Sequence, residues 1–439
     1  DMPIYSETRG NLRRRLQRTF GDLVATSGSL ALPSTNGFYA PELIFGNANQ
    51  ARGAQVSFYA GGGASILNNA RIIDAATPYS ASSASLYGQV RVLPPWAVAP
   101  STNSAWEVTR LFKRQQYDDA ISQAIRRVGR RILLPADDYS IVLNSSLRNG
   151  TFDRWSNGVS AAPDEWTLAG TGATIARVNR EDAAATEGAF QGRFAASMFA
   201  DTSQAATLSQ IVPNAYLFKD TAFEMTFSAY ATLGSRLRIR YVDGPNTFNS
   251  DYHTGAGLET ITFTGTLTAD PTDHTFSIRI ESGASTTVLL GKAEIRFGDT
   301  IYVYPLEAQF AYIQDVLMES GTRGVFEEPL PREWWYILKD FPTRHIGFLK
   351  PYFSPTSGRV LRVVGQAYPA DPAEAEDVPI DPEYVLNRAA ADMYNMLPGG
   401  AADWQALRER ARAWEQRALD LERRARTRVL LGSKSVEDV

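Results

Sequence analysis

Apolar residues recur at three- and four-residue spacing in a few stretches of the chain and at two-residue spacing over much of the rest. Ala120, Ile121, Ala124, Ile125, Val128 and Ile132 share one face of a predicted amphipathic helix. Asp118 and Asp119 fall in its first turn, and Arg126, Arg127, Arg130 and Arg131 in its last, the order that the helix dipole favours. An earlier helix is predicted after Ser6 as N-cap, with Leu12, Leu16 and Phe20 on one side and Gly21 as its stop. Near the end, Asp381 and Pro382 open a helix that Pro398-Gly399-Gly400 closes. The helix from about Asp403 to Leu431 places Trp404, Leu407, Ala411, Trp414, Ala418, Leu421 and Ala425 in a three-four alternation, the seam of a packed helical pair.

The two-residue pattern predicts strands. Residues 27–105 are rich in Gly, Ala, Ser and Asn, with β-like runs at Gln55–Tyr59 and Arg71–Ile73, and read as a smaller β insertion. Gly61-Gly62-Gly63 lacks the Lys-Ser/Thr and helix of a phosphate loop and reads as a turn. From Asn144 to about Phe297, segments such as FEMTFSAY, LRIRYV, TITF and TFSIRI follow one another with turns and no helix, which predicts an antiparallel β-sandwich. Beyond it, a strand at Tyr302–Pro305, a helix within Leu306–Leu317 and several short strands are expected, then an acidic Pro-rich linker, PADPAEAEDVP. The resulting division is 1–26 core helix, 27–105 β insertion, 106–143 core helix and strand, 144–298 sandwich, 299–378 core β/helix region and 379–439 C-terminal helices and polar tail.

Two stretches resemble known families. The Pro94-Pro95-Trp96 corner, the Pro100 turn, Trp106-Glu107-Val108, Leu111-Phe112 and the following helix are similar to the neck adaptors, or head-to-tail connectors, of tailed phages. Pro379 to Tyr384 with Ala389-Ala390-Ala391 resembles their C-terminal helices. That resemblance implies an α+β multidomain protein with a helical-bundle adaptor core. It also implies a dodecameric ring that joins the portal protein to the next neck or tail protein, and the helical spacing makes Ile121, Ile125, Trp404, Leu407, Trp414 and Leu421 the expected seam within the core or between subunits. Arg428, Leu430 and Leu431 would dock on the portal, and double-stranded DNA would pass through the lumen unread. Separately, Asn149 to Trp155 with Pro163-Asp164-Glu165-Trp166 resembles the opening of jelly-roll carbohydrate-binding modules. The large sandwich is a departure from the simplest adaptors, and it raises the alternative of a carbohydrate-binding fibre or decoration protein.

Composition narrows the chemistry. At 439 residues, 44% hydrophobic and 11% aromatic, the chain can bury several cores. A net charge of -4 gives no general argument for nucleic-acid or membrane binding, although Arg9, Arg13, Arg14, Arg15, Arg18 and the run from Arg408 to Arg428 are locally basic. Those arginines are expected to form helical ion pairs or, less commonly, to meet phosphate. There is no cysteine, so disulfides and thiolate chemistry are excluded. No apolar run is long enough to span a membrane, and DMPIYSETRGNLRRRLQ has no signal-peptide core, so the cytosol is the default expectation, while the adaptor resemblance implies a virion assembled in the bacterial cytoplasm.

His253, His274 and His345 are scattered, and the Asp137-Asp138 and Glu181-Asp182 pairs lack the across-cleft spacing of glycosidase carboxylates, so no enzyme, metal or cofactor is expected. Asp153 alone does not make a calcium site. Trp155, Trp166, Tyr230 and Tyr241 are the candidate sugar-stacking residues, with packing the preferred role for the two tryptophans.

Overall fold

The computed structural model describes residues 6–27, 31–40, 51–60, 71–77, 88–102, 104–129, 131–179, 192–202, 204–213, 215–244, 246–268, 274–283, 285–306, 310–339, 344–372, 374, 376–397, 401–425 and 434–435. The chain forms two compact units, one of Asp1–Leu133 with Pro369–Thr427 and one of Leu134–Tyr368 with Arg428–Val439.

The first unit contains α1 (Arg9–Thr19), β1 (Leu23–Ser27), β2 (Ala31–Ser34), β3 (Gly37–Ala40), β4 (Gln55–Ala60), β5 (Arg71–Thr77), β6 (Gly88–Leu93), β7 (Ala105–Thr109), α2 (Arg114–Val128), α3 (Pro382–Met396) and α4 (Ala401–Ala425). Its strands make one antiparallel sheet in the order β1-β7-β4-β5-β6-β3-β2. Phe38, Val56, Phe58, Val90, Trp96, Trp106 and Val108 form a core of their own on this sheet. Thr8, not Ser6, caps α1, its hydroxyl accepting from Asn11 N at 3.3 Å.

Helices α1, α2 and α3 meet one another and α4 packs on α3, burying Leu12, Leu16, Ile121, Ile125, Ala389 and Met393. The predicted α4 seam is only partly covered. Ala411 and Ala418 are buried, Leu407, Trp414 and Leu421 are half-buried, and Trp404 is 43% exposed.

What ties the helices to the sheet is charge. Arg13 on α1 pairs with Glu107 on β7 at 3.2 Å and with Asp118 on α2 at 3.1 Å, and Arg114 pairs with Glu374 at 2.9 Å. Arg9 also reaches Asp118, and Arg15 pairs with Glu7 and Glu383, so these arginines of α1 are engaged within the protein and not arrayed for DNA. Glu374 lies in the stretch expected to be a linker. The charges therefore fix that stretch against α1 and α2.

These observations correct the expected architecture. Among the described residues the chain has 24 strands and four α-helices, and it is a mostly β protein without a helical-bundle adaptor core. Glu107 on β7 pairs with Arg13 of α1 and Arg114 of α2, so these two helices are fastened to the sheet as well as to each other.

In the second unit a β-sandwich is framed by smaller sheets. Its first sheet joins β10 (Thr174–Asn179), β11 (Phe194–Ala200), β18 (Thr286–Arg296), β13 (Ala222–Ala231) and β16 (Gly257–Thr266), in that order. Its second joins β15 (Asn246–Asn249), β14 (Leu237–Asp243), β17 (His274–Ile280), β12 (Ala206–Ile211) and β9 (Thr167–Ala169). Every pairing is antiparallel, and the inward residues of both sheets form one core, including Phe223, Met225, Phe227, Ile239, Tyr241, Phe276 and Ile278. This is a jelly-roll sandwich, in which alternate side chains face the core and solvent.

The frame comprises β8 (Leu134–Val142), β19 (Val303–Pro305), β20 (Phe310–Met318), β21 (Trp335–Leu338), β22 (His345–Phe348), β23 (Val360–Ala367) and β24 (Lys434–Ser435). One frame sheet runs β24-β20-β23-β8 and the other β19-β22-β21. Two expectations fail here. The segment 310–318 is a strand and not a helix, and Lys434–Ser435 of the expected polar tail pairs with β20.

Candidate functional site

The predicted sugar-stacking residues do not converge. Trp155 and Trp166 are buried, their indole N–H groups donating to the Phe152 carbonyl at 2.6 Å and the Asn149 carbonyl at 3.1 Å, and Trp166 packs on Phe152 and Phe276. Tyr241 is buried in the core, its hydroxyl 2.6 Å from His274 Nδ1. Tyr230 is half-buried on the outer face of the first sheet, packed with Val178 on Ala195. Three of the four thus offer no ring face to a ligand, and the fourth lies on a sheet partly covered by the frame: Arg323 donates to Thr260 Oγ1 at 2.9 Å, and the Lys292 ammonium donates to the Gly358 carbonyl.

The outer face of the second sheet has a different character. In β14, Leu237, Ile239, Tyr241 and Asp243 point inward, leaving Arg238, Arg240 and Val242 outward. In β17, Thr275 and Arg279 are outward, with Ser277 on the same side but buried and donating to the Arg240 carbonyl at 3.3 Å, and in β12, Thr207, Ser209 and Ile211 are outward. Register aligns these into rows. Asn249, Arg240, Ser277, Ser209 and Thr167 make one row across five strands, and Arg238, Arg279, Thr207 and Ala169 make the next.

Glu281 joins the second row, accepting from Arg238 Nη2 at 2.7 Å and from Arg279 Nε at 3.0 Å. Burial alone would raise its carboxyl, but hydrogen bonds and charge from the two arginines outweigh that and hold it below the usual carboxylate range. Tyr252, 39% exposed, lies with its ring centroid 4.8 Å from the Arg238 guanidinium. That stacking orients both groups. Arg240 is held more loosely, with Nε buried and Nη2 3.4 Å from Thr247 Oγ1. The face therefore offers planar donors, hydroxyls and one aromatic ring.

A cleft of about 580 Å³ lies at one end of the sandwich, lined in part by Arg148, Glu165, Leu217, Phe218 and Tyr304. Its rings are already engaged, Phe218 stacking on Phe297 at 4.8 Å and the Tyr304 hydroxyl donating to the Ile301 carbonyl at 2.7 Å.

The other chemistry-bearing residues have structural partners. Asp153 is buried and accepts from Tyr139 N, Arg193 N and Arg193 Nη2, all of them donors. Burial raises its carboxyl against the opposing charge of Arg193. His253 lies in the core with Nε2 3.2 Å from the Ala229 carbonyl. Asp137 pairs with Arg362, while Glu181-Asp182 and the portal-docking candidates Arg428, Leu430 and Leu431 lie outside the described residues, as does Gly61-Gly62-Gly63. Among the described residues no group of three or more His, Cys, Asp or Glu is placed to hold a metal, and no helix is long and apolar enough to cross a membrane.

No family model matches the chain, and no curated protein matches it. Among solved structures it is similar to the enzymatically active domain of tailspike protein 4 of bacteriophage CBA120, at 14% identity over 35% of this chain and 21% of that one, with a TM-score of 0.27. The chain thus spans about a fifth of that tailspike domain. It is also similar to TmCBM61, solved with β-1,4-galactotriose, at 16% identity over 35% of this chain and 98% of that one, with a TM-score of 0.27. A third similar structure is the C-terminal family 22 carbohydrate-binding module of Clostridium thermocellum Xyn10B, at 12% identity over 37% and 96%, with a TM-score of 0.25.

Proposed function

We propose that this protein binds carbohydrate, through the outer face of the second sandwich sheet, and does not turn it over. The observation that carries the reading is the pair of aligned rows, with Tyr252 stacked on Arg238 at their edge. A pyranose presents hydroxyls around its rim and C–H groups on its faces, so fixed guanidinium, hydroxyl and amide groups beside one exposed ring complement it. Cross-strand register sets the spacing of these groups, so a ligand meets them without first ordering a loop.

Binding without hydrolysis is supported by Glu281. A carboxylate clamped by Arg238 and Arg279 and kept ionised is unsuited to donating a proton to a leaving group.

A glycan array followed by affinity electrophoresis tests the proposal. Wild-type protein is expected to be retarded by at least one polysaccharide, and Tyr252→Ala to lose that retardation while keeping its circular dichroism spectrum. Retardation unchanged in Tyr252→Ala would show that sugar binds elsewhere.

A further inference from the structure

We infer that the ligand is an acidic polysaccharide, with an anionic group of one sugar unit seated at Arg240; the inference rests on the glycan-binding reading above. Three guanidinium groups, Arg238, Arg240 and Arg279, come from adjacent strands onto one face. Among the described residues Glu281 is the one carboxylate that forms ion pairs with them, and its two oxygens are taken up by Arg238 and Arg279. The other residues of the two rows, Thr167, Ala169, Thr207, Ser209, Asn249 and Ser277, carry no charge. Asp243, on the same strand as Arg240, is buried and accepts from Thr268 N and Oγ1 at 2.6 and 2.9 Å. Asp251, beside Tyr252 in the chain, forms no ion pair with the three arginines among the described residues. The face therefore has an excess of positive charge, although the whole chain is negative at -4.

Arg240 is the group with charge to spare. Nε is packed away and Nη2 has only the long contact to Thr247 Oγ1, so no carboxylate of the described chain neutralises it. A neutral sugar would leave that charge uncompensated. The planar fork of a guanidinium instead matches the two oxygens of a carboxylate or of a sulfate ester, and such charge-assisted bonds are about twice as strong as neutral ones. On this assignment Tyr252 carries a neighbouring ring of the same chain while Arg240 selects the acidic unit.

The experiment is calorimetric titration of the full chain with polygalacturonate, its carboxyl-reduced neutral counterpart, a sulfated galactan and poly-glutamate, at low salt and at about 0.5 M salt, where the Debye length is about 4 Å. Polygalacturonate or sulfated galactan is expected to bind and the reduced polymer to bind at least about tenfold more weakly. The acidic polymer that binds identifies the anionic group. Arg240→Gln is expected to lower that affinity by about ten- to a hundredfold, with Arg240→Lys retaining part of it. Equal binding of the reduced polymer overturns the acidic assignment and leaves the glycan reading standing. Poly-glutamate binding as tightly as the acidic polysaccharide reduces the face to an unspecific cation patch and overturns it too. Failure of every polysaccharide, charged or neutral, removes the glycan reading and this inference together.

Discussion

Arg13 and Glu107 meet at 3.2 Å with both side chains wholly out of solvent, joining α1 to the strand β7. Two ions moved out of water lose several kcal/mol of hydration each, which only mutual attraction and further hydrogen bonds restore. Glu107 accepts a hydrogen bond from Gln17 Nε2 at 3.0 Å and has the charge of Arg114 3.8 Å away. Removing one partner strands the other.

Arg13→Ala is accordingly expected to destabilise the first unit by about 3–5 kcal/mol, because it leaves the buried Glu107 without its main counter-charge. Urea unfolding together with hydrogen exchange of the α1 and β7 amides measures this. The double variant Arg13→Met/Glu107→Leu is expected to recover part of the loss.

Acid affects this hub through Glu374. Burial works to raise its carboxyl, but the Arg13 hydrogen bond and the charges of Arg13 and Arg114 prevail and hold it below its ordinary value of 4.5. A depressed carboxylate contributes stability that is full above its unfolded value and is lost as pH falls through the folded one. Glu107 has the opposite sign: burial, only partly offset by Arg13, raises it, so its contribution favours low pH and is lost as pH rises through its folded value. Wild-type protein should therefore lose more stability below pH 4.5 than Glu374→Gln does, in melting temperatures recorded across that range.

The sandwich opening offers a separate test. Asn149 has φ of 49°, and its side chain donates to the Arg154 and Asp164 carbonyls while accepting from Arg154 N at 3.1 Å. It also accepts from the Trp166 indole through its own carbonyl. Asn149→Ala is expected to cost about 2–4 kcal/mol, from three lost hydrogen bonds and a conformation that asparagine tolerates better than alanine. Denaturant unfolding of the variant measures it.

Trp166→Ala is expected to destabilise the sandwich by about 3–5 kcal/mol by opening a cavity beside Phe152 and Phe276. Tyr252→Ala, at an exposed position, should stay within about 0.5 kcal/mol of wild type. Thermal melts separate the two, and only the second isolates ligand contact from folding.

The alternation in the sandwich strands was readable from sequence, and so was the parity that places Arg238 and Arg240 outward. In LRIRYVD, Tyr241 shares its parity with Leu237 and Ile239, which marks it as a core residue. Residue type alone therefore does not separate a core tyrosine such as Tyr241 from a surface one. Tyr252 follows β15 outside any regular strand, where no periodicity points to it.

The strand at 310–318 carries a helix-like apolar spacing for a physical reason. Phe310, Ile313 and Val316 are buried at a spacing of three, the mark of a helix, because irregularities in register at Phe310/Tyr312 and Ile313/Asp315 reset the two-residue alternation. The helical core was overestimated similarly. The α4 heptads are genuine, but a seam carries no information about how much of it a partner covers, and Trp404 remains exposed. The linker reading of 369–379 failed because Pro and acidic residues also suit a segment fastened by ion pairs, as Glu374 and Asp371 are.

Hydroxyl-radical footprinting of the full chain, with and without a glycan that it retains, compares Tyr252 on one outer face of the sandwich with Tyr230 on the other. Protection of Tyr252 with Tyr230 unchanged is expected if the glycan lies on the second sheet. Protection of Tyr230 with Tyr252 still fully reactive would place the sugar on the opposite sheet and contradict it.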